Sequence, residues 1–194
     1  MRATQGHAPL CPCCGAERVV SRRGFLAAAA IGAAVVAPGI HPALAQRSER
    51  VLRVRRHFTE DSFTGVYWRD GHYDREALRR LDFVFRDLSL AELTPMDPRL
   101  FDVMASVAEA VGVDEPYEVI SGYRTPETNH ANARRSRIVS TVSLHMSGMA
   151  ADCRLPGRLT LEVARRAADL ELGGVGLYRP DGFMHLDCGP VRRW

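Results

Sequence analysis

The pattern of apolar and polar residues is clearest after residue 46. From Val51 to Phe58, apolar side chains alternate with charged ones, and residues 65–68 form a second apolar stretch after a polar turn. Neighbouring side chains of a strand point to opposite faces, so this period of two is typical of half-buried strands. The segment therefore predicts a β-hairpin or a small sheet.

Farther along the chain, helical spacing alternates with short apolar runs. Asp74, Asp97 and Thr160 stand where a polar side chain caps the first turn of a helix. Predicted helices cover 75–90, 98–112, 126–135 and 161–172, and predicted strands cover 117–120, 149–153, 175–178 and 183–187. Helices followed by strands indicate one compact α+β domain with a central, mostly antiparallel sheet and flanking helices. The polar segment 134–143 lacks a period and predicts a mobile loop.

The first 45 residues have the features of an export signal. Ser21-Arg22-Arg23-Gly24-Phe25-Leu26 is a twin-arginine pattern, the apolar run 27–37 follows it, and Ala43-Leu44-Ala45 is a small-x-small cleavage site. The apolar run is well short of the ~20 residues of a spanning helix, which disfavours a membrane anchor. We expect residues 1–45 to be removed after export to the periplasm by the twin-arginine translocase, leaving a mature domain of residues 46–194 with no transmembrane segment.

The charge of the chain excludes one class of partner. The formal net charge of +3 comes from residues 1–45, because the remaining part has arginines and acids in equal number and no lysine. A nucleic-acid-binding domain shows a basic excess on one face. We therefore expect no nucleic-acid partner.

Three residues near the end of the chain are candidate metal ligands. His145, Asp152 and His185 supply two imidazoles and a carboxylate, which suits a catalytic Zn²⁺ with three protein ligands and a fourth position open for water. Gly148 permits a tight turn between the first two residues, and Asp187 shares a face of its predicted strand with His185. Each spacing is weak by itself, and a satisfied surface or core pair is an equally good interpretation of either.

The cysteines fall into two groups. Cys11, Cys13 and Cys14 lie within the predicted signal, whereas Cys153 and Cys188 follow two of the predicted ligands. If their segments are adjacent strands, both thiols point away from the metal and toward each other. Export permits disulfides, so a bridge between Cys153 and Cys188 is predicted, with two free buried thiols as the alternative.

Several blocks of sequence together resemble a known family. The blocks are Ser121-Gly122-Tyr123-Arg124, Ser143-x-His145-x-x-Gly148-x-Ala150-x-Asp152, Gly173-Gly174-Val175-Gly176-x-Tyr178, His185-x-Asp187 and Pro190-x-Arg192-x-Trp194. In this order they resemble the hedgehog-type zinc peptidases that act on D-alanyl-D-alanine and related peptidoglycan peptides. The resemblance covers the whole mature chain. It implies a hedgehog-type α+β fold, one zinc ion, and cleavage of 3-3 cross-links between meso-diaminopimelate residues of stem peptides.

The resemblance also implies roles for individual residues. It places zinc on His145, Asp152 and His185, and a substrate carboxylate on Arg124, whose guanidinium can grip a carboxylate with two hydrogen bonds. A structural salt bridge is the alternative for Arg124. Ser143 is expected to be a hydrogen-bonding residue of the substrate-binding loop, since no His-Asp pair remains to activate it as a nucleophile.

The chain departs from the family pattern at the general base. Carboxypeptidase and dipeptidase relatives have a Glu three residues before the last zinc histidine, and Gly182 occupies that position here. Asp187 is the replacement, as the catalytic base that takes a proton from water. The equal alternative is that Asp187 orients a ligand imidazole through the nitrogen that does not bind the metal.

Two other functions stay open on the sequence. One is a D,D-carboxypeptidase or D,D-endopeptidase with the same chemistry on another bond. The other is a non-catalytic wall-binding module in which zinc is structural, an alternative that the missing Glu keeps open.

Overall fold

The structure is a computed structural model that describes residues 48–136 and 139–194. The predicted signal, residues 1–45, and its three cysteines lie outside the described residues. In the described part, no helix has both the length and the apolar character needed to cross a bilayer.

Eight strands form one mixed sheet. The strands are β1 Glu49–Arg56, β2 Ser62–Arg69, β3 His72–Tyr73, β4 Tyr117–Ser121, β5 Ala150–Arg154, β6 Gly174–Tyr178, β7 Phe183–Asp187 and β8 Arg192–Arg193. Their order in the sheet is β3-β2-β1-β4-β5-β7-β6-β8. Only the pairs β1–β4 and β6–β8 are parallel. The predicted α+β class, the hairpin at the start of the domain and the mostly antiparallel sheet are therefore confirmed.

Four α-helices flank the sheet among the described residues. They are α1 Arg75–Phe85, α2 Pro98–Val111, α3 Pro126–Arg135 and α4 Thr160–Asp169. Asp74 caps α1 with hydrogen bonds from two backbone N–H groups, and α2 ends at Gly112 in the left-handed conformation, both as predicted. Helix α3 also matches its predicted range.

Three helix boundaries differ from the prediction, and one of them is the end of α4, at Asp169 instead of Leu172. Helix α1 ends at Phe85 instead of Leu90, because the backbone of Arg86 is extended and Asp87 then pairs with Glu92 in an isolated bridge. Thr160 does not cap α4. It is the first helical residue, and its hydroxyl donates to the carbonyl of Gly182 at 3.0 Å.

The core lies on one face of the sheet, under α1, α2 and α4. Residues Ala151 and Cys153 of β5 and Met184 and Leu186 of β7 belong to this core. Because side chains alternate along a strand, the residues between them point to the opposite face. Those residues include Asp152 and His185, so the sheet itself separates the candidate metal ligands from the core.

The predicted disulfide is not formed. Cys153 and Cys188 are both free, and β5–β7 pairing sets Cys153 opposite Met184, while Ala150 lies opposite Asp187. In this register Cys188 lies four residues along the strand from the partner of Cys153, or about 13 Å, and a disulfide needs Cα atoms within about 7 Å. The strands are adjacent as expected, but their register keeps the thiols apart. Burial raises the pKa of the Cys188 thiol to about 12.

Candidate metal centre

Three separate elements bring the candidate ligands together. His145 lies in a 3-10 turn, Leu144–Ser147, which Gly148 ends with a left-handed backbone at φ 66°. Asp152 lies in β5, and the strand pairing sets it directly opposite His185 of β7. The turn returns the chain to the sheet, so that the His145 imidazole lies over this pair.

The three donor atoms form a small triangle. His145 Nε2 lies 3.3 Å from Asp152 Oδ1 and 3.2 Å from His185 Nδ1, and the third side, between His185 Nδ1 and Asp152 Oδ1, is 3.0 Å. Donors at about 2.0–2.1 Å from a tetrahedral Zn²⁺ lie roughly 3.3–3.4 Å apart. All three residues are at least nine-tenths buried. The triangle has the size of one face of such a coordination shell.

The hydrogen bonds on the far side of each imidazole fix the direction of its lone pair. His145 Nδ1 lies 2.7 Å from the carbonyl oxygen of Gly122, and His185 Nε2 lies 3.1 Å from Asp187 Oδ2. Both partners are acceptors, so these two nitrogens carry the protons of neutral imidazoles. His145 Nε2 and His185 Nδ1 then direct lone pairs into the triangle beside a carboxylate oxygen. A cluster of electron-pair donors at this distance fits a cation.

Electrostatics inside the cluster favour the same occupant. Burial lowers the pKa of His145. Burial also lowers the pKa of His185, but the neighbouring carboxylates of Asp152 and Asp187 outweigh burial and raise the pKa above its usual value. Burial opposes ionisation of Asp152, yet the two histidines and Arg124 hold its pKa far below the usual range. An ionised carboxylate therefore lies between two imidazoles in a site with little access to water.

Asp187 lies behind His185 instead of facing the triangle. Its side chain is 0% exposed. Its oxygens accept from His185, from the backbone N–H groups of Gly174 and Gly189, and from Arg192 at 2.7 Å. The two nitrogens of an imidazole lie on different sides of the ring. The His185 ring therefore lies between the Asp187 carboxylate and the candidate metal position. This geometry favours the orienting role of Asp187 over that of general base.

Arg124 contacts the cluster directly. Its Nη2 donates to Asp152 Oδ2, and its Nε donates to Ser121 Oγ at 2.8 Å. The structural ion pair that was the alternative for Arg124 is thus present. The guanidinium also lines the neighbouring cavity, so the same residue borders the space in which a substrate would lie.

An open cavity of about 350 Å³ adjoins the triangle. Ser143 lies on its wall, and its hydroxyl accepts from the N–H of His145 at 3.3 Å. The loop residues Val139, Ser140 and Val142 border the same cavity; residues 137 and 138 are not described. Among the described residues of the lining, Asp152 has the only carboxylate side chain.

Sequence reasoning missed several groups at the site. The Gly122 carbonyl could not be found, because its role depends on the backbone alone. Tyr178, Phe183, Arg192 and Trp194 also line the cavity. The only signal of Tyr178, Arg192 and Trp194 in the sequence was their presence in the blocks that carry the family resemblance, and Phe183 lies in none of those blocks.

Two imidazoles and one carboxylate beside an open cavity form the donor set of a catalytic metal centre, in a chain with an α+β fold. The comparison with family models agrees with that class. The model described as peptidoglycan L,D-endopeptidase MepK matches residues 44–194, and the chain belongs to this family.

Individual relatives match over most of their length. The chain is 32% identical over 176 residues to the peptidoglycan L,D-endopeptidase MepK of Escherichia coli K12, which covers 90% of this chain and 97% of that protein. The probable peptidoglycan L,D-endopeptidase MepK of Haemophilus influenzae is 32% identical over 166 residues, or 85% of this chain and 89% of the relative. No solved structure gives a significant match.

Proposed function

We propose that the chain is a zinc-dependent peptidoglycan endopeptidase that hydrolyses peptide cross-links of murein, with 3-3 links between meso-diaminopimelate residues as the substrate. The observation that carries the proposal is the convergence of His145, Asp152 and His185 beside an open cavity. Membership of the MepK family supports both the substrate class and the reaction.

The donor set fits one zinc ion. His145, Asp152 and His185 would hold it, because two imidazoles with oriented lone pairs and one carboxylate are ligands that zinc prefers. When bound, the ion acts as a Lewis acid on the scissile carbonyl and lowers the pKa of a coordinated water to roughly 7. The open side of the triangle faces the cavity, where a peptide would lie.

Other residues would hold the ligands and the substrate in register. The Gly122 carbonyl and the Asp187 carboxylate orient the two imidazoles. Arg124 and Ser143 are proposed to bind a carboxylate of the stem peptide at the cavity wall. The Arg124 guanidinium would contact both the substrate carboxylate and Asp152. It would therefore couple the position of the substrate to that of a candidate metal ligand.

The role proposed for Asp187 is to position His185. Its carboxylate is buried, accepts hydrogen bonds on both oxygens and is not among the described residues that line the cavity. A general base must come within hydrogen-bond reach of the water that it deprotonates. The position of Asp187 instead matches that of a carboxylate that accepts a hydrogen bond from a metal-bound histidine and orients its ring.

The location follows from the substrate and from the start of the chain. Peptidoglycan lies outside the cytoplasm, and we propose that residues 1–45 direct export by the twin-arginine translocase to the periplasm. The mature domain would then be residues 46–194. N-terminal sequencing of the exported protein tests this assignment, and an intact N-terminus in the periplasmic fraction would contradict it.

The direct experiment uses defined cross-linked muropeptides. The purified domain is incubated with 3-3 and 4-3 cross-linked dimers, with and without a chelator, and the products are identified by mass. Separated tripeptide stems from the 3-3 dimer, lost with the chelator and restored by Zn²⁺, are the expected result.

The same experiment separates the alternatives. Release of D-alanine from a stem that ends in D-alanyl-D-alanine would indicate a D,D-carboxypeptidase, and cleavage of only the 4-3 dimer would indicate a D,D-endopeptidase. Retention of zinc without hydrolysis of any muropeptide would indicate a wall-binding module with a structural metal.

A further inference from the structure

The side chain of Trp194 lies at the cavity next to a candidate metal ligand. Trp194 is 52% exposed as a whole residue, and it lines the cavity that also borders His145, Asp152 and His185. The ring centroids of Trp194 and His185 are 5.2 Å apart. Part of an exposed aromatic side chain therefore borders the space in which a substrate would lie.

The position of this indole is fixed from three directions. The backbone N–H of Trp194 donates to Val175 at 3.2 Å, and its carbonyl accepts from Leu177 at 3.0 Å, so the residue extends the β6–β8 pairing. The indole Nε1 donates to the hydroxyl of Tyr178 at 3.3 Å. An aromatic side chain held in this way loses little further conformational entropy when a ligand packs on it.

Gly176 makes room for the indole on the sheet. It lies opposite His185 in the β6–β7 register, and a Cβ at Gly176 would lie 2.5–2.7 Å from three atoms of the indole. Only a residue without a side chain permits so close a contact. The indole of Trp194 thus packs directly on the backbone of Gly176, beside His185.

The surroundings of the indole define the chemistry of what it could contact. Tyr178 and Phe183 continue the apolar surface as a stacked pair with centroids 4.8 Å apart. Val142, which is 85% exposed, also lines the cavity. The guanidinium carbon of Arg192 lies 5.1 Å from the indole ring. An apolar strip with a cation at its edge suits an aliphatic chain that carries a polar, acidic end.

We propose that Trp194 is a substrate-positioning residue, whose indole packs against the methylene chain of a diamino-acid side chain in the stem peptide. This inference rests on the proposed function and names the part of the substrate that the site recognises. Tyr178 and Gly176 hold the indole in place, and the Arg192 guanidinium puts a positive charge at the end of the apolar strip.

The first test is steady-state kinetics on a 3-3 cross-linked muropeptide. Trp194→Ala should raise KM roughly tenfold, because an exposed aromatic surface is lost, and leave kcat within about twofold. Trp194→Phe should recover most of the loss. The matched control is Val191→Ala, an exposed apolar residue of the same segment that lies outside this cavity, and it should leave both constants unchanged.

The second test reports contact at the indole without turnover. The chain has two tryptophans, so Trp68→Phe leaves Trp194 as the only indole, and Trp68 lies outside the cavity. Titration of this variant with muropeptide in the presence of a chelator should change the Trp194 emission along a saturable curve. This measurement still decides the question if Trp194→Ala fails to fold.

The outcomes separate this inference from the proposed function. A saturable emission change without any hydrolysis by the zinc-loaded protein would end the proposed function and leave the Trp194 contact intact. Hydrolysis with an unchanged KM in Trp194→Ala, together with binding that leaves the Trp194 emission constant, would overturn the inference alone.

Discussion

Two buried polar clusters in this domain carry similar groups but differ in how their hydrogen bonds are satisfied. At one end of the sheet, Asp102 accepts from Arg50 at 2.8 Å, from Tyr67 at 2.8 Å and from Tyr73 at 2.6 Å. At the other end, Asp152 lies among imidazole nitrogens whose lone pairs point toward it. The first cluster is a carboxylate surrounded by donors. In the second, Arg124 donates to one carboxylate oxygen of Asp152, while the other oxygen faces two imidazole lone pairs.

This difference distinguishes a structural cluster from a functional one. Burial, with the Asp102 carboxylate next to it, raises the pKa of both Tyr67 and Tyr73, so the phenols stay protonated and keep donating. Nothing further is needed to satisfy Asp102. In the other cluster, the lone pairs of His145 Nε2, His185 Nδ1 and Asp152 Oδ1 point toward one another. A cation between them would interact favourably with all three atoms at once. Both carboxylates are buried, so burial alone does not distinguish the two clusters. The balance of hydrogen-bond donors and acceptors does.

The largest effect is expected from Asp152→Asn. The neutral amide removes the charge from the donor triangle, so the protein should lose bound zinc and at least roughly a thousandfold of its turnover. Metal content of the purified variant and muropeptide hydrolysis measure the two losses. Stoichiometric zinc in this variant would show that the triangle is not the metal centre.

The matched substitution in the other cluster is Asp102→Asn, which should act on stability instead. It leaves Arg50 buried without its ionised partner, at a cost of about 3 kcal/mol in the free energy of unfolding. Activity per folded molecule and zinc content should stay at the wild-type level. Urea denaturation measures the cost, and a loss of zinc at full stability would abolish the distinction between the clusters.

Asp187→Asn sharpens the comparison within the metal centre. If Asp187 orients His185, the variant should bind zinc about 10- to 100-fold more weakly, because the amide holds the imidazole less firmly. If it is the general base, zinc affinity should stay unchanged while kcat falls. Competition against a chelator of known affinity, measured beside kcat at saturating zinc, distinguishes these results.

Much of the candidate site could be predicted because its chemistry is local in the sequence. The alternation of Met184, His185, Leu186 and Asp187 fixes which side chains share a face, and Gly148 marks the turn that His145 needs. The pairing register could not be read in this way. It depends on contacts between distant strands, and it placed Cys153 opposite Met184 and left the predicted disulfide unformed.

Tertiary contacts also overrode local signals in two other places. Leu88 continued the helical spacing of α1, but the chain leaves the helix at Phe85, where the carbonyl accepts from Tyr123 at 2.7 Å. That hydrogen bond fixes the position of the adjacent residue, Gly122, whose carbonyl orients the His145 imidazole. Trp194 reaches the cavity only because β8 pairs in parallel with β6, a connection that no pattern within either segment reveals.

The smallest effects are expected at two glycines with the same backbone conformation. Gly112 and Gly148 have φ of 68° and 66°, so alanine at either position should cost about 1–2 kcal/mol of stability. A Cβ at Gly112 would meet no atom within 4 Å, whereas at Gly148 it would lie 3.0 Å from the carbonyl oxygen of Pro95. In Gly148→Ala, the backbone at Pro95 or the turn that carries His145 must therefore shift by a few tenths of an ångström.

Zinc affinity separates these two alanine variants more sharply than stability does. Gly112→Ala should bind zinc as the wild-type protein does, since it only strains the end of α2. Gly148→Ala should bind zinc more weakly, because His145 is displaced from Asp152 and His185. Equal zinc affinity in the two variants would mean that the 3-10 turn adapts without moving His145, and that the triangle tolerates more displacement than its 3.0–3.3 Å sides suggest.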